Sequence, residues 1–307
     1  MKHDKYAYYH NQFKDAYRLN SATYFDYLQR FKRIALSQFH WKNLPESMNE
    51  RAIELSLYYT GGCAFLYDET KGGFINTKAT TSGKINIYGI PTAINCNSYS
   101  YHTKRETYQG ATPPKNTDNR NKKQAILVLN NYSSYPTAGM VELFAERLTL
   151  LQRSWDINIK QQKFPRLLLA DKKTLFSIKK LVEDLDNNEL NIITDKDSML
   201  EDKIKSIDFN APFVADKLSI EKKEIWNEFL TTMGISNIDF KKERVLQNEM
   251  DSKNEVINYN LQAMLIPRQK ACEDFNRYFN PDKPLSVEVN ADLDNLIKRQ
   301  ERENENE

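Results

Sequence analysis

Apolar residues recur at three- and four-residue steps in three long stretches of this 307-residue chain, and that period dictates helices with one buried stripe. The first stretch carries Phe13, Tyr17, Tyr24, Leu28, Phe31 and Ala35. The second carries Met140, Phe144, Leu148, Leu151 and Trp155, and the third Val214, Leu218, Ile225, Phe229 and Met233. The spacing predicts a long or broken helix over about 12–40, with Ser21 as N-cap of its second half, and a helix over 137–160 capped by Thr137. It predicts another over 213–234 that Gly234 ends as a C′ glycine. Asn43 and Pro45 close the first run by turn chemistry, and a short helix follows near 47–59.

Residues 61–136 differ. Gly61-Gly62, Gly72-Gly73 and Gly83 punctuate runs with strand character at 63–67, 74–77, 84–88 and 125–129, which make a β-rich module. Residues 108–123 are polar, contain Pro113-Pro114 and read as a long exposed loop. A compact insertion, 161–205, separates the second and third long helices. It holds a strand at 166–170, a helical stripe of Ile178, Leu181, Val182 and Leu185, a strand at 190–193, and capping-box spacing at Ser198-Met199-Leu200-Glu201. Residues 236–252 set Lys241, Lys242 and Arg244 against Asp239, Glu243, Glu249 and Asp251, a loop or a solvated helix. Helix resumes to about residue 279 with a break near Pro267. Leu285, Val287 and Val289 alternate as a strand, and 301–307 is an acidic tail. The fold class is α+β, mainly helical.

Composition removes several functions. With 40% hydrophobic, 28% charged and 11% aromatic residues the chain is neither disordered nor collagen-like. Mean hydropathy is −0.71, and no window approaches the roughly 20 apolar residues that cross a bilayer. Met1-Lys2-His3-Asp4-Lys5-Tyr6 has no apolar core of a signal peptide, so the expectation is a cytoplasmic protein without a membrane partner. Three cysteines and four histidines write neither a disulfide framework nor a zinc site. The net charge of +2 hides an asymmetry: residues 1–136 hold 18 Lys/Arg against 10 Asp/Glu, the remainder 26 against 32. A chain that grips DNA by wholesale phosphate neutralisation shows a strongly basic domain, so any nucleic-acid contact here is local.

Catalytic motifs are missing as well. Gly83-Lys84 is followed by Ile85, which rules out a phosphate-cradling loop, and there is no Gly-x-Ser-x-Gly, His-Glu-x-x-His or Cys/His pair at catalytic spacing. Asp184/Asp186, Asp195/Asp197 and Asp292/Asp294 read as surface acids rather than a metal pair, because hard-metal sites need further converging acids. No enzyme, metal or cofactor is expected; a metal-dependent nuclease is the distant alternative.

Seven segments in one order resemble the upper collar protein, the head–tail connector or portal, of small short-tailed phages of the picovirus type. They are Phe39-His40-Trp41-Lys42-Asn43-Leu44-Pro45; Tyr135-Pro136 with Val141-Glu142-Leu143-Phe144; the run from Asn210 to Leu218; Trp226-Asn227-Glu228; Gly234-Ile235; Lys241-Lys242-Glu243-Arg244; and Ala271-Cys272-Glu273. They span about 30–290. The resemblance implies a portal protomer of a twelve-membered ring around a DNA channel. Its partners would be double-stranded genomic DNA, the major capsid protein, a packaging ATPase and lower collar or tail proteins. Its place would be the portal vertex of a virion assembled in the host cytoplasm. Another collar or adaptor ring of the same virion is the near alternative.

Laid on this chain, the resemblance makes 1–60 an N-terminal arm with wing helices and 61–136 the β-rich part of the wing. It makes 137–160 and 213–234 the stem, 161–205 the clip, 236–252 a channel loop and 253–300 the C-terminal wing or crown. Lys217 matches one of two channel lysines. The other position is Asp208, and Lys205, three residues earlier, could substitute if that stretch is helical. Lys241, Lys242 and Arg244 would face DNA from the loop. Read without the resemblance, Lys217 is an exposed helix lysine paired with Glu221, and the loop cations form a solvated face. The arm has two readings: Lys2, Lys5, Lys14 and Arg18 with interleaved tyrosines touching nucleic acid, or a helix whose aromatics are buried against a neighbour.

Overall fold

The computed structural model describes residues 5–110, 123–163, 166–170, 204–208, 212–236 and 247–290. In chain order these form α1 (Lys5–Leu36), β1 (Phe39–Lys42), α2 (Glu50–Thr60), β2 (Gly62–Asp68), a 3₁₀ turn (Glu69–Lys71), β3 (Gly73–Thr81), β4 (Ala93–Ser98), β5 (Tyr101–Glu106) and β6 (Ile126–Leu129). There follow α3 (Ala138–Lys163), β7 (Arg166–Ala170), β8 (Ile204–Asp208), α4 (Ala215–Thr232), α5 (Gln247–Phe279) and β9 (Ser286–Val289). The fold is mixed, with five helices and a β-sheet module among the described residues. Two compact units divide the chain: residues 1–23 with 147–225, and residues 24–146 with 226–307.

The second unit holds an antiparallel sheet of order β5-β4-β3-β2-β6. Its apolar side chains, Ala64, Leu66, Ala79, Ile94, Cys96 and Ala125, form one buried cluster. Helix α2 packs on β2 and β3, and α5 on β6 and β9. Asn49 caps α2 by accepting from the Ala52 amide, 3.0 Å. Gly61 ends it at φ 72°, where an added Cβ would lie 2.1 Å from the Ser134 carbonyl oxygen, so both conformation and space demand glycine. Two aromatic groups fill the interior. Phe65 meets Trp41 and Phe275 edge-on at 5.5 and 5.9 Å, while Phe31 of α1 packs on Phe229, Trp226 and Phe144 at 4.0, 5.0 and 6.4 Å.

Helix α1 stops at Leu36, short of the expected residue 40. The Ser37 hydroxyl and amide turn back onto the Arg33 and Ile34 carbonyls, and the chain becomes β1. Phe39 and Trp41 are buried and His40 and Lys42 exposed, because β1 pairs antiparallel with β9, Phe39 opposite Val289 and Trp41 opposite Val287. Residues 84–88 are a turn, not a strand. The Asn86 side-chain carbonyl accepts from the Tyr88 and Ile90 amides at 2.9 and 3.0 Å, local bonding that competes with a ladder. The polar strands β4 and β5, which the apolar pattern does not announce, complete the sheet instead. Helix α5 runs unbroken through Pro267. Tyr108, placed above in an exposed loop, is buried with its ring 5.0 Å from that of Tyr278. Residues 111–122, the stripe at 178–185, the strand at 190–193, the spacing at 198–201 and the tail lie outside the described residues.

At the turn after β2, Asp68 is nearly buried and is surrounded by donors: the Thr70 hydroxyl at 2.6 Å, the Tyr101 hydroxyl, the Thr70 amide at 2.9 Å and Arg105 at 3.3 Å. The Thr70 and Tyr101 hydroxyls lead, against the opposing effect of burial, in holding its pKa down at about 2 from the ordinary 3.8. A carboxyl depressed on folding stabilises above its unfolded pKa and loses that stabilisation as pH falls towards the folded value. Protomer stability is therefore expected to fall by about 2 kcal/mol between pH 4 and 2 through this group. Urea midpoints measured against pH check it, and Asp68→Asn should flatten that part of the curve.

Candidate channel helices and basic positions

Within the first unit, polar side chains lock α3 to α4. Asn158 is buried on α3; its amide donates to the Pro212 carbonyl at 3.0 Å and its carbonyl accepts from the Val214 amide at 3.1 Å. One side chain thus satisfies an orphan donor at the entry to α4 and fixes where that helix begins. Further along, the Lys222 ammonium donates to Gln152 at 2.6 Å, the Gln152 amide donates to Asp156 at 2.9 Å, and Arg153 pairs with Asp156 at 2.7 Å. Arg153 also donates to Asn20 of α1 at 2.8 Å, so three helices share one ladder. Apolar residues of these segments are left outside: Leu150, Ile157, Phe213 and Ile220 are all at least half exposed.

Lys217 lies in the first turn of α4 and is exposed. Glu221 and Glu224 follow at i+4 and i+7, on the same helical face, and are exposed too. Among the described residues no ion pair holds Lys217; the expected pairing with Glu221 is not formed. Lys205 belongs to β8, opposite Leu169, while Asp208 stands opposite Arg166. Substitution of Lys205 for Asp208 required a helix. The backbone is a strand, in which positions three apart do not share a face, so the helical condition for that substitution is not met. The pairing of β7 with β8 also gives the strand at 166–170 its neighbour within the chain.

Lys241, Lys242, Arg244 and Lys2 lie outside the described residues. Lys5 and Lys14 are on α1, and Arg18 is exposed on the same helix. The aromatic stripe of α1 has two fates. Tyr17 is 75% exposed and Phe31 fully buried, so burial against the chain's own core accounts for one end of the helix only. No group of three His, Cys, Asp or Glu able to hold a metal occurs among the described residues. Sequence reasoning missed Asn158 and the Gln152–Lys222 pair; an asparagine three residues beyond Trp155, continuing the spacing of the apolar stripe, was the available signal.

The Phage Connector (GP10) family model matches residues 9–294. The chain belongs to the phage connector family. As a member of that family the chain is a phage connector. The chain is also similar, at low identity, to chains of three solved structures. A chain of the portal and tail of native bacteriophage P68 is 13% identical, with 91% of this chain and 90% of that one covered and a TM-score of 0.46. A HK97 family phage portal protein from Corynebacterium diphtheriae is 8% identical, with 90% and 97% covered and a TM-score of 0.45. A chain of the neck of an empty GTA particle is 7% identical, with 90% and 83% covered and a TM-score of 0.38.

Proposed function

We propose that this connector closes into a ring, with twelve copies as the family resemblance implies, whose hole passes double-stranded genomic DNA during packaging and ejection. The face of α4 bearing Lys217 looks onto that hole. The observation that carries this is the charge pattern of the face: one exposed cation in the first turn, without an ion pair among the described residues, followed by exposed Glu221 and Glu224. Symmetry multiplies each side chain around the axis, so Lys217 becomes a belt of positive charge above belts of negative charge. A uniformly basic bore releases many counterions and holds DNA fast, whereas an acidic bore with one thin basic belt lets a duplex slide. The excess of acids over bases after residue 136 serves the same end.

On this reading α3 and α4 form the stem, residues 161–205 the clip, 236–252 with Lys241, Lys242 and Arg244 the channel loop, and 50–131 with 253–300 the wing. The exposed Leu150, Ile157, Phe213 and Ile220 are then the side chains that neighbouring copies cover. The major capsid protein, a separate packaging ATPase and the lower collar or tail proteins are the remaining partners, and the ring performs no catalysis of its own. Electron microscopy of the purified protein tests the proposal: averaged top views should show closed rings, and a side-chain map should put Lys217 in the hole. A monomer at micromolar concentration, or Lys217 on the outer wall, overturns it.

A further inference from the structure

Where the C-terminal end of α4 meets α1, α2 and α5, the second unit holds a small cavity of about 10 Å³, lined among others by Gln38, Glu54, Thr137, Met233 and Arg268. We infer that this cavity is a binding site for a single water molecule, held by the Gln38 carbonyl oxygen, the Thr137 hydroxyl and the Glu54 carboxylate. The volume is that of one water-sized sphere, the smallest space that admits one. Gln38 is 1% exposed, and its orientation is fixed: the side-chain Nε2 donates to the Met233 carbonyl, so exchanging oxygen and nitrogen would set two acceptors against each other. That leaves Oε1 buried and without a donor in the protein. The Thr137 oxygen accepts from the Asn130 amide at 2.9 Å and keeps its own proton to give. Glu54 accepts from Trp41 and Arg268 through Oε1 and from Arg268 through Oε2, which retains a lone pair.

A water here donates to Gln38 and to Glu54 and accepts from Thr137, three bonds of the kind that hold internal waters. It completes the joint that ties Met233, just past the end of α4, to the buried polar centre of the unit. A density map of the intact protein sharp enough to resolve ordered solvent tests this. A peak within hydrogen-bond reach of Gln38 Oε1 and Thr137 Oγ1 is expected, and Gln38→Leu should abolish it. A cavity without a peak, a Gln38 amide turned onto a protein donor, or a peak that survives Gln38→Leu overturns the inference. Should the variant fail to assemble, the wild-type map decides alone.

Discussion

Replacing Arg268 with alanine is expected to cost the protomer about 3–5 kcal/mol of unfolding free energy, a large share of the 5–15 kcal/mol typical of a folded domain. Arg268 is 2% exposed, yet every N–H of its guanidinium has an acceptor. Nε donates to Glu54 Oε1 at 3.2 Å, one terminal nitrogen to the Asn130 and Met264 carbonyls at 3.0 and 2.8 Å, and the other to Glu54 Oε2 and Asn130 Oδ1, both at 3.0 Å. Its Cζ lies 4.2 Å from the centre of the Phe39 ring. One side chain thus fastens α5 to α2, β1 and the segment after β6. Alanine would leave the Glu54 carboxylate, 3% exposed, without its counter-charge, and Asn130 without a donor. If the orphaned charge is the cause, Arg268→Met combined with Glu54→Leu should recover most of the loss, since a buried ion pair seldom exceeds an apolar pair of similar volume in stability. Denaturant midpoints at one fixed protein concentration measure both, because self-association of any kind makes apparent stability concentration-dependent. A loss under about 1 kcal/mol for the single variant would show that the pair is dispensable.

That pair explains why part of the fold was hidden in the sequence. Glu54 sits in the helix foreseen near 47–59, and Arg268 follows the proline foreseen to break α5. Helix α5 instead continues, held on the C-terminal side of Pro267 by the Arg268 bonds and the packing of Phe275 and Phe279 on Phe74, with ring centres at 5.3 and 5.1 Å. Tertiary anchoring outweighs one missing backbone bond. The same reach across the chain governs β1: its partner β9 lies about 250 positions away, so a local reading extends the helix through Phe39. Where burial repeats at a local period, reading was accurate for most positions. Phe144 and Leu148 of α3, Phe229 and Met233 at the end of α4, the start of α3 after Thr137, the Gly234 terminus and the alternation of β9 follow from neighbours three, four or two positions apart, whereas Trp155, placed on the α3 stripe, is exposed.

The proposed channel face was legible in a different way. The resemblance singled out Lys217, and helical periodicity alone then places Glu221 and Glu224 beside it. What the period could not supply was the partner of each face. Lys222, one position beyond Glu221, turns inward to Gln152, while Glu221 stays in solvent, and only the packing of α3 on α4 separates those fates. The strand conformation of Ile204–Asp208 was not legible because the segment has neither a clear helical stripe nor a clean alternation, and its pairing with β7 decides it.

Gly234→Ala should destabilise the protomer by about 2–5 kcal/mol, through two separable causes. The residue closes α4 as a C′ glycine: its amide donates to the Thr231 carbonyl at 3.0 Å and the Ile235 amide to the Leu230 carbonyl at 2.9 Å, which holds φ at 71°. A side chain in that conformation costs about 1–2 kcal/mol by itself. The second cause is space. A Cβ would lie 2.5 Å from the backbone nitrogen of Leu261 and 2.6 Å from its Cα, atoms of a helix that cannot swing aside like the tip of a long side chain. Retreat is opposed by the Asn260 side chain, which donates to the Thr231 carbonyl at 2.8 Å and ties α5 to the end of α4. Gly72 isolates the first cause, since its φ is 75° and nothing lies within 4 Å of the added Cβ. Gly72→Ala should therefore lose only the conformational part, about 1–2 kcal/mol, and the difference between the two variants measures the close approach of α4 to α5. Equal losses in chemical unfolding would mean that α5 yields freely at Leu261 and that the contact is not rigid.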